Sequence, residues 1–301
     1  MEVLWIPISM AAGLCQAVRT AAQKSLNARL STWMTTYVRS LYGLPFMLIY
    51  LWAVTSWEGS RTPTFGTAFF LHCLGTASSQ VLATYLLIKL FQMSNFAVGT
   101  MLTKTDMMQA AIIGSIFFSE EITAIGWLAI LLTLIGVLLL SMRKARAALT
   151  SGRCSEFLFA PSTLTGLASA FLFCLSYLFL REASLALDGS RITSAAWSLV
   201  TVTSMQVVTL GPWLMVTQRS EFAKLSGLFR PAAFIGLTSA LGSMGWFTAM
   251  ALQNASYVKA VGQTEVIFTI LISTLYFRER ITSWEYAGIA TIVVAVLLFL
   301  V

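Results

Sequence analysis

Apolar segments about 20 residues long recur along the whole chain and are separated by short polar stretches. A segment of that length crosses a hydrocarbon core of roughly 30 Å as a helix, which satisfies its own backbone hydrogen bonds in lipid. Ten such segments can be placed, at 3–24, 33–57, 65–89, 94–118, 123–142, 160–182, 191–217, 231–252, 255–277 and 282–301. The pattern predicts an all-α integral membrane protein with ten transmembrane helices and almost nothing left for a soluble domain. The first segment starts at Val3 directly after Glu2, with no basic stretch before it and no small-residue cleavage site, so it reads as a retained span and not as a removed signal peptide.

Composition agrees. Of 301 residues, 57% are hydrophobic and 10% charged, with mean hydropathy +0.81, against roughly 25% charged in an ordinary soluble domain. The net charge of +7 does not point to nucleic acid, because the basic residues sit in short loops between spans. Lys24, Arg29, Lys89, Arg143, Lys144, Arg146, Arg153, Arg219, Lys224, Arg230, Arg278 and Arg280 follow odd-numbered spans, whereas the other side has little beyond Arg61, Arg181 and Arg191. The positive-inside rule then puts both termini outside. Cys15, Cys73, Cys154 and Cys174 have no metal-type spacing, and three fall within spans, so they read as small apolar residues.

A shift of 159 residues aligns the two halves: FFSEEIT at 117–123 on YFRERIT at 276–282, Asn95 on Asn254, Thr105 on Thr264, and Asp106 on Glu265. Each half, 1–148 and 149–301, carries five spans. Five is odd, so the second copy enters the membrane in the opposite sense to the first, a construction common in secondary transporters with a substrate site between the repeats.

The segments FFSEEITAIGWLAILLTLIGVLLL at 117–140, YFRERITSWEYAGIATIVVAVLLFL at 276–300 and STWMTTYVRSLYGLPF at 31–46 make the chain similar to the drug/metabolite transporter superfamily, in particular its EamA-type members. The resemblance covers essentially the whole chain. It implies ten helices in two inverted repeats, a multi-pass protein of a bacterial plasma (inner) membrane, and a small-molecule substrate such as an amino acid relative, another metabolite or a drug. It also implies cytoplasmic termini, opposite to the charge bias. Met107 and Val266 stand where members of that family often carry proline, so proline breaks neither helix here.

Charges inside spans are the candidate chemistry, since each costs about 2.5–3.5 kcal/mol at mid-membrane and therefore faces a bundle interior or a cavity. Asp106 and Glu265 lie near mid-depth in the fourth and ninth segments. Two readings stay open. Either acid carries a coupling proton or binds a cationic substrate group, or both are structural, paired for example as Asp106 with Arg19 and Glu265 with Lys104. Gln16, Arg19 and Gln23 form one polar stripe on the first helix. Arg39 either binds an anionic group or snorkels, and Arg19 has the same alternative. Trp246, beside Gly242 and Gly245, is a candidate cavity wall or stacking surface, with ordinary packing as the alternative. His72 reads as an interfacial histidine, and Trp5, Trp33, Trp52, Trp57, Trp127, Trp213 and Trp284 as an aromatic belt. Glu120 and Glu279 read as structural turn residues. Thr282 and Glu285 have capping-box spacing.

Taken together, the residues point to a secondary transporter for a small organic metabolite in contact with membrane lipid, with protons as a possible coupling ion. It has no phosphate-binding GxxxxGK[ST] and no cofactor or metal motif. An uncoupled facilitator or a scaffold is the alternative. An intramembrane enzyme lacks HExxH, GxSxG and any cysteine or histidine cluster.

Overall fold

A computed structural model describes residues 3–59, 62–90, 92–93, 102–149, 160–268 and 283–300, without the side chains of 141–149 and 285. The described helices are α1 (Trp5–Leu26), α2 (Thr32–Glu58), α3 (Thr67–Leu90), α4 (Asp106–Phe117), α5 (Ala124–Leu149), α6 (Pro161–Leu185), α7 (Arg191–Thr217), α8 (Arg219–Leu225), α9 (Phe229–Leu252), α10 (Ala255–Gly262) and α11 (Ser283–Leu298). Among the described residues, five stretches are long and apolar enough to span a membrane: α2, α3, α6, α7 and the run Arg219–Leu252. Short α8 lies in a segment that the hydropathy pattern leaves as a loop.

Local chemistry sets several ends. The Ser31 hydroxyl accepts the Met34 N–H at 3.1 Å, and α2 stops at Gly59, whose φ of 58° suits a residue without a Cβ. Ser190 caps α7 in the same way through Thr193 N–H, and Thr123 caps α5 through Gly126 N–H at 3.0 Å. Pro45 and Pro212 sit inside continuous helices.

The contacts repeat under exchange of the halves. α1 packs on α9 and α3 on α6, so the first helix of each half meets the third of the other. α2 meets α7, α4 meets α10, and α5 meets α11. The like-with-like pairs run antiparallel. Ser31 at the start of α2 donates to Gln218 past the end of α7, while Ser190 at the start of α7 donates to Glu58 at the end of α2 at 2.6 Å. Gly136 of α5 faces Ile292, and Gly288 of α11 faces Leu140. Close approach depends on small residues. A Cβ on Gly236 would lie 2.5 Å from the carbonyl carbon of Tyr42.

Two expectations change. The fourth and ninth segments are not uniform helices: a 3-10 turn at Thr103–Thr105 precedes α4, and α10 ends at Gly262, with helix resuming at Glu265. Thr264 N–H bonds Val261 O and Val266 N–H bonds Gln263 O, both at 3.1 Å, so i→i+3 bonds carry the chain across the interruption without proline. Trp5 is not a belt residue. It is 3% exposed and packs edge-on against Phe299, whereas Trp57 is 92% exposed. Trp52, Trp213 and Trp284 are exposed, and Trp33 stacks on Tyr85. Cys15, Cys73 and Cys174 are free thiols. Asn95, Cys154, Arg153, Arg61, Arg278, Glu279, Arg280 and Thr282 lie outside the described residues, as does the Glu285 side chain.

Candidate functional site

A small void lies where the halves meet. Gln16 and Arg19 of α1, Arg39 of α2 and Gln80 of α3 line it from one half. Phe173, Tyr177 and Leu180 of α6, with Ser243, Trp246 and Phe247 of α9, line it from the other. Its free space of about 20 Å³ compares with the roughly 10–15 Å³ that one water occupies. The polar stripe on the first helix therefore does face inward, and Arg39 does not snorkel: Arg19 and Arg39 are each 5% exposed.

Arg39 is held in place. Its Nη1 donates to Thr84 Oγ1 at 2.9 Å and its Nη2 to Gln80 Oε1, which also accepts from Gln206 Nε2 at 2.9 Å. Ser40 donates to Gln206 Oε1 at 2.6 Å, tying α2, α3 and α7 together. Arg19 is different. No ion pair to it is found among the described residues, and its buried Nε has no hydrogen-bond partner there. The same holds for Trp246 Nε1. Trp246 walls the void, but its space comes from Gly262, where a Cβ would lie 2.1 Å from the indole Cη2. Gly242 and Gly245 instead admit Cys15 and Ala12 of α1, which corrects the expectation that they leave room beside the ring.

Asp106 stands one side chain behind the void. Asp106 Oδ2 accepts the Tyr177 hydroxyl at 3.1 Å and lies 3.4 Å from Lys259 Nζ, while Oδ1 accepts the Met107 N–H at 2.9 Å. Lys259 is 2% exposed, with Nζ 4.5 Å from the Tyr177 ring centroid and 4.4 Å from that of Trp246. Glu265 pairs with Lys104. Of the two ion pairs expected, Glu265 with Lys104 forms; the cation beside Asp106 is Lys259 and not Arg19. Thus Gln16, Arg19, Arg39 and Trp246 are brought together on the void, and Asp106 touches it through Tyr177. Lys104 and Glu265 form a separate pair. The sequence reading missed Lys259, although a lysine four residues into an apolar segment was signal enough. It also missed Gln80 and Tyr177, which carry no charge to flag them.

Glu120 lies in the turn between α4 and α5. It accepts the Ala255 N–H at 2.9 Å at the start of α10, and Arg181 Nε lies 3.5 Å from it. Burial pushes its carboxyl above the usual range, outweighing the Ala255 amide and the Arg181 charge. It fastens α10 to the α4–α5 turn.

Among the described residues no group of histidine, cysteine and acidic side chains is arranged to hold a metal ion. No curated protein matches the chain in sequence. A solved crystal structure of a protein is similar over 96% of this chain and 98% of its own, with a TM-score of 0.62 at 12% identity, a likeness that speaks for the fold alone. The model of the EamA-like transporter family matches residues 3–142 and again 161–301. Two matches to one family model account for the internal repeat and for the paired contacts between halves. The chain belongs to the EamA-like transporter family, within the drug/metabolite transporter superfamily, and is a multi-pass integral membrane protein that carries small solutes.

Proposed function

We propose that this protein is a secondary transporter with ten transmembrane helices in two inverted repeats, 1–148 and 149–301, residing in a bacterial inner membrane. It binds a small organic metabolite between the repeats and exposes it alternately to the two sides. The observation that carries the reading is the void itself: both halves line it, and it holds two buried guanidiniums with no ion pair among the described residues. Antiparallel pairing of equivalent helices supports the inverted insertion. With space for about one water, this conformation is contracted around the site, and substrate entry requires the halves to part.

Coupling to protons runs through Asp106 and Glu265. Each is paired with a lysine of the other half, so proton binding to either acid would release a cross-half ion pair. The rival is an uncoupled facilitator in which these pairs are static. Proteoliposome uptake of a metabolite panel, with and without a pH gradient, separates them. The intact protein is expected to accumulate a solute under the gradient, and Asp106→Asn or Glu265→Gln to lose that dependence. Full pH-driven flux in both variants would show that neither acid couples transport.

A further inference from the structure

The charges at the centre of this bundle do not cancel. Asp106 is compensated by Lys259 and Glu265 by Lys104. Arg19 and Arg39 both remain on the void, both 5% exposed, and the void's lining contains no carboxylate. Arg39 spends two donors on neutral acceptors, the Thr84 hydroxyl and the Gln80 carbonyl, which orient the guanidinium without neutralising it. With no ion pair to either among the described residues, two cations buried together are costly unless an anion joins them. Among the described residues that line the void, the unmet buried groups also have one polarity. Arg19 Nε and Trp246 Nε1, each in a residue at least nine-tenths buried, can only donate. A cation would be repelled by the two guanidiniums, and it or a neutral donor-rich solute would leave both nitrogens unmatched.

We infer that the void is an anion subsite and that the transported solute carries a carboxylate, seated between Arg19 and Arg39, with its apolar part against Phe173, Trp246 and Phe247. The inference rests on the transporter reading and narrows its substrate class. A planar carboxylate suits a guanidinium fork, and the apolar walls favour a monoanion with an aromatic or branched body over a bare inorganic ion. Phenyl phosphate and inorganic phosphate serve as comparison arms.

The probes are phenylacetate, its neutral isostere phenylacetamide, the cation phenethylamine, and the two phosphates, each titrated into the detergent-purified full chain. Readouts are the thermal midpoint and tryptophan fluorescence. Phenylacetate is expected to raise the midpoint and perturb the fluorescence in a saturable way, while the amide and amine do neither. Arg19→Gln is expected to weaken phenylacetate about ten- to hundredfold, the usual cost of losing one charged hydrogen-bond partner. Arg39→Lys, which keeps the charge and guards against a folding failure, is expected to weaken it less than Arg39→Gln. Equal response to acid and amide, response to the amine or the phosphates alone, no response to any probe, or an unchanged phenylacetate affinity in both Arg→Gln variants overturns the inference. Flux confined to neutral or cationic solutes would remove the anion subsite and leave the transport reading standing. Phenylacetate binding in detergent without flux of any solute would do the reverse.

Discussion

Lys259 and Asp106 offer the sharpest energetic test. Their charged atoms are 3.4 Å apart, and the residues are 2% and 4% exposed. At an effective dielectric of about 20, two unit charges at that separation attract by about 5 kcal/mol. Removing both ions from water costs a comparable amount, so the intact pair contributes little net stability, yet removing one partner costs about 3–5 kcal/mol. The two single variants are not equivalent. Lys259→Met leaves Asp106 with the Tyr177 hydroxyl and the Met107 amide but no cation. Asp106→Asn leaves Lys259 on the faces of Tyr177 and Trp246, contacts worth about 2 kcal/mol each when desolvated. Lys259→Met is therefore expected to cost about 3–5 kcal/mol and Asp106→Asn distinctly less. The double variant should cost less than their sum by about 2 kcal/mol or more, as for residues in direct contact. Unfolding of the purified protein by dodecyl sulfate in mixed micelles, followed by tryptophan fluorescence, measures all four corners of the cycle. Additivity within about 0.5 kcal/mol, or a larger cost for Asp106→Asn than for Lys259→Met, would refute the reasoning.

Two further outcomes follow from packing and burial. Gly262→Ala would put a Cβ 2.1 Å from Trp246 Cη2, whereas Gly242→Ala meets its nearest atom, Cys15 Cβ, at 3.3 Å. The first is expected to cost about 1–3 kcal/mol by overpacking and to shift tryptophan emission, the second much less; equal thermal midpoints for the pair would contradict this packing. The Glu120 carboxyl is raised by burial, so its favourable contribution is complete below the unfolded carboxylate value of about 4.3 and is lost as pH rises through the folded value. Glu120→Gln should therefore gain stability relative to the intact protein as pH rises above the unfolded carboxylate value of about 4.3. Parallel midpoint-against-pH curves for the two proteins would exclude that.

How much of this was legible in the sequence depended on whether a residue acts through hydropathy or through a neighbour. The ends of α2, α6 and α7 follow the apolar pattern to within a few residues because lipid thickness and the Ser31 and Ser190 caps act locally. Gln16, Arg19, Arg39 and Trp246 could be picked out because a polar or bulky side chain deep in an apolar run needs somewhere to go. Which of them share a void could not be picked out, since that depends on α1 meeting α9 and α3 meeting α6, contacts between the halves that no local pattern encodes. Trp5 shows the converse. Its position at a span end suits a belt residue, but Phe299, 294 positions along in sequence number, covers it.

The interruption of the fourth and ninth segments and the placement of the acids share a physical basis. Asp106 and Glu265 each begin helix immediately after a tightened turn, at 103–105 and 263–264. A carboxylate there gains from the positive end of the following helix, and Asp106 takes the Met107 N–H directly. The turn in the ninth segment is set by packing: a Cβ on Gly13 of α1 would lie 2.5 Å from Gly262 O, so α1 closes onto the carbonyl where α10 ends. Each acid then takes its cation from the other half, Lys259 for Asp106 and Lys104 for Glu265. These lysines are not related by the 159-residue shift, which places Lys259 on Thr100 and Lys104 on Gln263. The exchange symmetry of the ion pairs is thus a property of the folded bundle. It was met by independent residues in the two copies, which is why aligning the halves exposed the acids and left Lys259 unseen.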